Sequence, residues 1–476
     1  MSSLRDRIYT GFLWQGLERI GSMGSQFLIS IILARLLTPN EFGIIAIMMV
    51  FITLGYICID GGFSMALVQK EEVSEQDCSA VFYLNIAMSL LLYLVIFLVA
   101  PLIANYYANV AICKYLRVLA TVFVIRSFSI VQTALLTKRM LFKFNFRINI
   151  TAVVISGISG VALAFCGCGV WALIAQQMIN VFVTGCLLWY FVKWHPILSF
   201  SLHSLKVLYS FGWKLLVSGL MNTLYNNLYS LIIGKLFNLD TLAYYNQGRQ
   251  FPQQGMDVFG SVFGSVIFPG FASIQNDRQR MRSIAERALK AIICVTTPIL
   301  CCLLVAAKQV VLILLGEKWL PCVPYMRLCC IIFIFYPMHT LNLQILNACG
   351  RSDVFLILEI IKKAQSILMM FITYRFGVIA MVWGMVITAP IAFIENSWMN
   401  GKLISYSFWR QLLHVLPFFA IAFVSGTAAY FMGRFFDNRW LALLSETIVF
   451  AVCYSSLVLF LRQCPSEIRR LCSRRE

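Results

Sequence analysis

The chain has 476 residues, of which 60% are apolar and 12% charged, and its mean hydropathy is +0.82. A soluble globular protein carries about 25% charged residues, so the composition excludes that class and indicates an integral membrane protein. Lysine and arginine number 38 against 20 acids, a net charge of +18, which in a membrane chain reports loop topology rather than a nucleic-acid partner.

At roughly 20 residues per crossing helix, about fourteen transmembrane helices fill the chain and leave no room for a soluble domain. Apolar runs and turn residues predict spans at 11–36, 42–66, 80–104, 111–136, 148–168, 170–192, 211–236, 250–272, 291–315, 322–347, 354–374, 378–399, 412–433 and 440–461. The fold class is thus an all-α polytopic membrane protein. Met1 to Thr10 is charged and the adjoining run from Gly11 to Leu36 lacks a clean signal-peptide core, so the first span is expected to stay in place. With the N-terminus cytoplasmic, inside segments hold 22 of the lysines and arginines and outside segments eight, as the positive-inside rule requires. An even number of spans puts both termini on the cytoplasmic side.

The chain repeats itself. Ala34-Arg35-Leu36-Leu37-Thr38-Pro39-Asn40-Glu41-Phe42-Gly43 aligns at an offset of 200 with Gly234-Lys235-Leu236-Phe237-Asn238-Leu239-Asp240-Thr241-Leu242-Ala243, and Gly169-Val170-Trp171-Ala172-Leu173 aligns with Gly377-Val378-Ile379-Ala380-Met381. This predicts an N-terminal six-helix lobe over 1–200, a C-terminal six-helix lobe over 201–405, and two added helices with a basic tail over 406–476. Six is even, so the halves form a parallel repeat.

Ionisable side chains deep in a span are costly and usually face the bundle interior. The first predicted span carries Gln15, Glu18, Arg19 and Arg35, the second Asp60 before Gly61-Gly62, the fourth Arg126, and the seventh Lys214, Asn222, Asn226 and Asn227. The eighth and its approach carry Arg249, Gln250, Gln253, Gln254 and Asp257. Polarity therefore concentrates on the first two helices of each half, as expected if those four line a cavity. Asp60 reads equally as a helix-packing acceptor or an ion site, and Lys214 equally as an anchor or a substrate contact. Glu359 is spaced to pair with Lys362 or Lys363 along one helix, while Lys308 and Arg327 lie near a boundary where long side chains snorkel. Prolines at 252, 269, 298, 337 and 390 sit where they can break or bend helices. No Walker A, G-x-S-x-G, H-E-x-x-H or C-x-x-C motif occurs, so ATP-driven or enzymatic chemistry is not expected. The 16 cysteines lie mostly in apolar runs and only four histidines exist, which argues against a metal site.

The motifs Ala34–Gly43, Asp60-Gly61-Gly62, Gly169–Leu173, Leu242-Ala243-Tyr244-Tyr245-Asn246 and Gln250-Phe251-Pro252 together resemble the polysaccharide-transporter branch of the MOP flippase superfamily, the Wzx-type lipopolysaccharide biosynthesis proteins that export O-antigen and capsule repeat units. The resemblance covers about residues 1–400. It implies two pseudosymmetric lobes in a V, alternating access, and a lipid-linked oligosaccharide on undecaprenyl pyrophosphate as substrate, moved across the bacterial inner membrane. Membrane lipids, a polysaccharide polymerase and glycosyltransferases are the implied partners.

On this reading Arg19, Arg35, Arg126, Lys214 and Arg249 offer charge-assisted hydrogen bonds to pyrophosphate, and Asn222, Asn226, Gln250, Gln253 and Gln254 bond sugar hydroxyls. Glu18, Asp60 and Asp257 are the ion-coupling candidates, for either a proton or a sodium ion, with no other cofactor. The alternatives are a multidrug or cation antiporter and a peptidoglycan lipid precursor flippase of the same superfamily. An exporter of cations calls for an acidic cavity.

Overall fold

The computed structural model describes residues 4–198, 202–272, 274 and 277–461, with side chains described except at 4–15, 17–20, 202–208, 210–211, 258, 261–270 and 272. Glu18 and Arg19, two of the candidate residues, lie outside the described side chains. No strand occurs among the described residues. The helices are α1 (Leu4–Leu36), α2 (Pro39–Asp60), α3 (Phe63–Gln69), α4 (Glu75–Tyr106), α5 (Ala111–Leu119), α6 (Val122–Ser127), α7 (Ile130–Lys138), α8 (Phe142–Phe165), α9 (Val170–Val192) and α10 (Leu202–Leu236). They continue with α11 (Leu239–Ala272), α12 (Arg278–Val305), α13 (Ala307–Leu314), α14 (Val323–Ile334), α15 (Tyr336–Ala348), α16 (Ser352–Thr373), α17 (Val378–Ile404), α18 (Phe408–Gly433) and α19 (Arg439–Phe460).

Among the described residues nine helices are long and apolar enough to cross a membrane, ten if a pair bent by 45° at 127–130 is one span. The exposed faces support that reading. On α4, Leu90, Leu94, Leu98 and Leu102 point outward while Asn85, Ser89, Ala100 and Ala104 are buried, a pattern that only a hydrocarbon solvent favours.

Four predicted spans are divided: 291–315 falls into α12 and α13, 322–347 into α14 and α15, and two more, 42–66 and 111–136, have breaks with a visible cause. The run 42–66 divides into α2 and α3 because Gly61 and Gly62 take left-handed φ of 55° and 76°. A Cβ on Gly62 would lie 2.4 Å from the carbonyl oxygen of Gly212 in α10, so neither the angle nor the space admits another residue. The run 111–136 divides into α5, α6 and α7. Here Thr121, Ser127 and Ser129 each donate their hydroxyl to the carbonyl three residues back, at 2.7, 2.8 and 2.9 Å, competing with the regular helical bonds. Of the prolines, Pro298 and Pro390 sit inside continuous helices, whereas Pro337 occupies the first turn of α15 after a break.

The chain forms two compact units, 1–243 and 244–476. In the first, the aligned turns have the same form: α1 ends at Leu36 and α2 starts at Pro39, and α10 ends at Leu236 and α11 starts at Leu239. Thr38 caps α2 with a capping box in which Glu41 Oε2 accepts the Thr38 N–H at 2.7 Å. A Cβ on Gly43 would meet the Leu239 carbonyl at 2.1 Å, and one on Gly169 would meet Glu41 Oε1 at 2.5 Å. These motif residues therefore close one end of the unit by packing. Gly169 and Gly377, the second aligned pair, both cap their helices at positive φ, 57° and 95°.

In the second unit, α15, α17 and α18 are joined by a buried polar network. Asn342 Nδ2 donates to Gln411 Oε1 at 2.9 Å, Ser397 Oγ donates to the same oxygen at 3.2 Å, and Gln411 Nε2 donates to the Tyr406 carbonyl at 3.0 Å. Such bonds hold helices together where lipid offers no polar competitor.

Candidate functional site

The first unit holds a cavity of about 790 Å³ to which α2, α3, α6, α7, α8, α9 and α10 contribute. Two of the candidate residues, Asp60 and Arg126, line it. Asp60 is the last residue of α2, so the glycine break fixes where its carboxylate emerges, and Ser64 on the first turn of α3 donates its hydroxyl to Asp60 Oδ1. Arg126 is placed through a chain of aromatic contacts. Gly55 leaves room for Phe123, whose Cζ would lie 2.3 Å from a Cβ there. Phe123 then meets the Tyr56 ring edge-on at 5.9 Å, and the Arg126 guanidinium stacks over Tyr56 at 4.2 Å. Neither Asp60 nor Arg126 enters an ion pair among the described residues. Each charge is held by a neutral partner and remains exposed to the cavity.

The rest of the polar lining is neutral. Thr53, Ser129, Thr133, Asn145, Asn149, Asn180 and Thr184 face the space. Thr53 and Thr133 donate to carbonyls of their own helices at 2.7 and 2.9 Å, leaving lone pairs to accept from a ligand. Asn180 Nδ2 donates to Ser156 Oγ at 3.3 Å, which points its carbonyl elsewhere. These residues come from helices with few charges, so a search for ionisable groups passes over them. The signal that finds them is spacing: Ser129 and Thr133, Asn145 and Asn149, and Asn180 and Thr184 are each four apart, one helical face.

The other candidates are placed elsewhere. Arg35 is exposed at the end of α1, and Lys214, Asn222 and Asn226 are exposed on α10, outside the lining of this cavity. Arg249, Gln250, Gln253, Gln254 and Asp257 are half-buried on α11 in the second unit. Arg249 donates to the Tyr245 hydroxyl at 3.4 Å, and the preceding Gly248 lets α11 approach α14, a Cβ there falling 2.8 Å from the Met326 nitrogen. Glu359 pairs with Lys362 along α16, a structural contact. In charge, the first unit's cavity is balanced, with one acid and one base.

The chain matches the family described as "Polysaccharide biosynthesis protein" over residues 32–324. It is 25% identical over 434 residues to the teichuronic acid biosynthesis protein TuaB of Bacillus subtilis, covering 90% of each chain. It is 24% identical to the succinoglycan biosynthesis transport protein ExoT of Rhizobium meliloti, covering 96% of this chain and 93% of that one. With the lipopolysaccharide biosynthesis protein WzxC of Escherichia coli it shares 24% identity, covering 74% and 72%. Among solved structures, the lipid II flippase MurJ in an inward closed conformation superimposes with a TM-score of 0.72 at 15% identity, covering 95% of this chain and 99% of that one. An inward-facing multidrug transporter of the MATE family, in the MOP superfamily, gives 0.60 at 16% identity, covering 82% and 99%. These structures establish the fold.

Proposed function

Because the chain belongs to the polysaccharide biosynthesis protein family, we propose that it is a flippase that carries undecaprenyl-pyrophosphate-linked oligosaccharide repeat units from the cytoplasmic to the periplasmic leaflet of a bacterial inner membrane by alternating access. It is a multi-pass membrane transport protein with the MOP fold and not an enzyme. The observation that carries the substrate assignment is the cavity of the first unit: a guanidinium stacked on Tyr56 beside a field of neutral amides and hydroxyls. Arg126 suits a phosphate oxygen, and Asn145, Asn149, Asn180 and Thr184 suit sugar hydroxyls. Asp60, held by Ser64, is the coupling carboxylate on this reading, for a proton or a sodium ion. Both termini are cytoplasmic, and a polymerase and glycosyltransferases are the proposed partners at either side.

The test is deletion of the gene in its host, with mass analysis of undecaprenyl-linked glycans and of surface polysaccharide. Complete repeat units accumulating on the lipid, with loss of the surface polymer, support the proposal and name the sugar. Normal glycan lipids with new sensitivity to cationic dyes overturn it in favour of drug export.

A further inference from the structure

Arg327 has no part in the cavity of the first unit. It lies in the second turn of α14 and lines a different cavity, of about 640 Å³, formed by α12, α14 and α18 within the second unit. Most of that lining is apolar, with Ile331, Phe335, Phe419 and Phe423 along its length. The cavity has two unlike ends. The Phe335 and Phe419 rings meet at 6.3 Å, and from there α14 and α18 lead to Arg327 and Tyr430 at the opposite end. A second guanidinium lies beside that end, outside the lining: Arg434 Nη2 donates to the Tyr430 hydroxyl at 2.8 Å, with its Cζ 4.8 Å from the ring centre.

Behind Arg327, Glu446 of α19 is buried and accepts from Gln309 Nε2 of α13 at 2.9 Å. Its carboxylate acts on Arg327 through space, yet Arg327 enters no ion pair among the described residues and its Nε is buried without a hydrogen-bond partner. The cavity thus ends in one half-buried cation, Arg327, with a second, exposed one held just outside the lining on the Tyr430 hydroxyl, and is otherwise greasy. Phe423, 76% exposed, opens its side to the surrounding hydrocarbon.

We infer that this cavity seats one acyl chain of an anionic glycerophospholipid of the membrane, with the lipid phosphate on Arg327 and Arg434. Its length agrees. At 1.5 Å per residue, Arg327 to Phe335 spans about 12 Å and Phe419 to Tyr430 about 16 Å, which matches the roughly 15 Å half-thickness of a bilayer core. One leaflet's acyl chain fills that depth, whereas a polyprenyl chain overruns it. Two guanidiniums at the mouth select a phosphate lipid with net negative charge over a zwitterionic one. The inference is independent of the transport reading.

Native mass spectrometry of the full chain, titrated from detergent with dioleoyl phosphatidylglycerol or dioleoyl phosphatidylcholine, tests it. The expected result is one phosphatidylglycerol adduct bound roughly 25-fold more tightly than the phosphatidylcholine adduct, with each arginine supplying about fivefold. R327A removes the charge facing Glu446 and can fail to fold, so R434A and Y430F, at the exposed mouth, carry the test. Both should lose most of the preference while binding phosphatidylcholine as before. Equal binding of the two lipids by the wild type, or unchanged preference in R434A and Y430F, overturns the inference. So does displacement of phosphatidylglycerol by equimolar undecaprenyl diphosphate, which would assign the cavity to the carrier lipid.

Discussion

Exchanging Arg126 for alanine and for lysine separates the charge in the first unit's cavity from the shape that carries it. The guanidinium plane is set from beneath by Tyr56 at 4.2 Å, and Tyr56 is set by Phe123 at 5.9 Å, so the cation is oriented before a ligand arrives. A hydrogen bond to a charged group contributes about 1.5–3 kcal/mol. The stack on an aromatic face adds about 0.5–1 kcal/mol at a solvated site, but most of that is present with or without ligand and acts by orienting. Arg126→Ala should therefore weaken binding of a lipid-diphosphate glycan by about 2 kcal/mol, roughly 30-fold at 1.4 kcal/mol per decade. Arg126→Lys keeps the charge and loses the planar fork, for about 1 kcal/mol or roughly fivefold. Purified variants in lipid nanodiscs, titrated with a fluorescent undecaprenyl-diphosphate glycan, give the two affinities directly. Arg126 is exposed and enters no ion pair among the described residues, so abundance and thermal stability should be unchanged in both. Wild-type affinity in Arg126→Ala, at normal abundance, would refute the assignment of this cation to the substrate. Equal losses in both variants would refute the division between charge and shape.

Three further outcomes follow from the packing. Gly62→Ala must hold a left-handed φ at a cost of about 1–2 kcal/mol and also places its Cβ 2.4 Å from the Gly212 carbonyl, so the melting temperature in detergent should drop sharply; a variant as stable as wild type would mean that the break at Gly61-Gly62 yields easily. Asp77→Asn removes the charge from a buried carboxylate that pairs with Lys70 at 2.5 Å and caps the start of α4 by accepting from the Ser74 N–H at 3.0 Å. Because Lys70 is 37% exposed, the expected loss is about 1 kcal/mol rather than that of a fully buried pair, read as a modest fall in thermal stability with transport retained. Gln411→Leu deletes three hydrogen bonds at about 0.6 kcal/mol each, roughly 2 kcal/mol, and should loosen α18; proteolysis between α17 and α18 should accelerate, and an unchanged rate would count against the network as what anchors that helix.

The helices themselves are legible in the sequence wherever apolar runs end at strong punctuation. The span 170–192 coincides with α9, which starts at Gly169, and the turns after Leu36 and Leu236 fall at the same offset that the repeat predicts. Hydropathy does not register backbone angle, so the division of 42–66 is hidden: Phe63 to Val68 is apolar and continues the run, while the break resides in two left-handed glycines that need the nearby Gly212. The division of 111–136 is hidden as well: at its breaks the hydroxyls of Thr121, Ser127 and Ser129 bond carbonyls three residues back, local bonds that an apolarity scale does not register. Prolines mislead in the opposite sense, because Pro298 and Pro390 are absorbed into continuous helices.

The same bias toward charge explains what the sequence reveals of the site. Asp60 and Arg126 stand out because an ionisable group in a span demands a reason, and both line the cavity. The amides and hydroxyls of α7, α8 and α9 cost less to bury and so attract less notice, yet they supply most of the polar surface. That division of labour suits an uncharged glycan carried on a charged headgroup. If Asp60 and Arg126 were paired with each other, a phosphate would have to break an ion pair to reach the guanidinium. With Ser64 bonded to the acid and Tyr56 beneath the base, each charge is held by a neutral neighbour. On the proposed reading, the phosphate can then reach Arg126 and an ion Asp60, and the two events couple only through the helix break and aromatic stack that join α2 to α6.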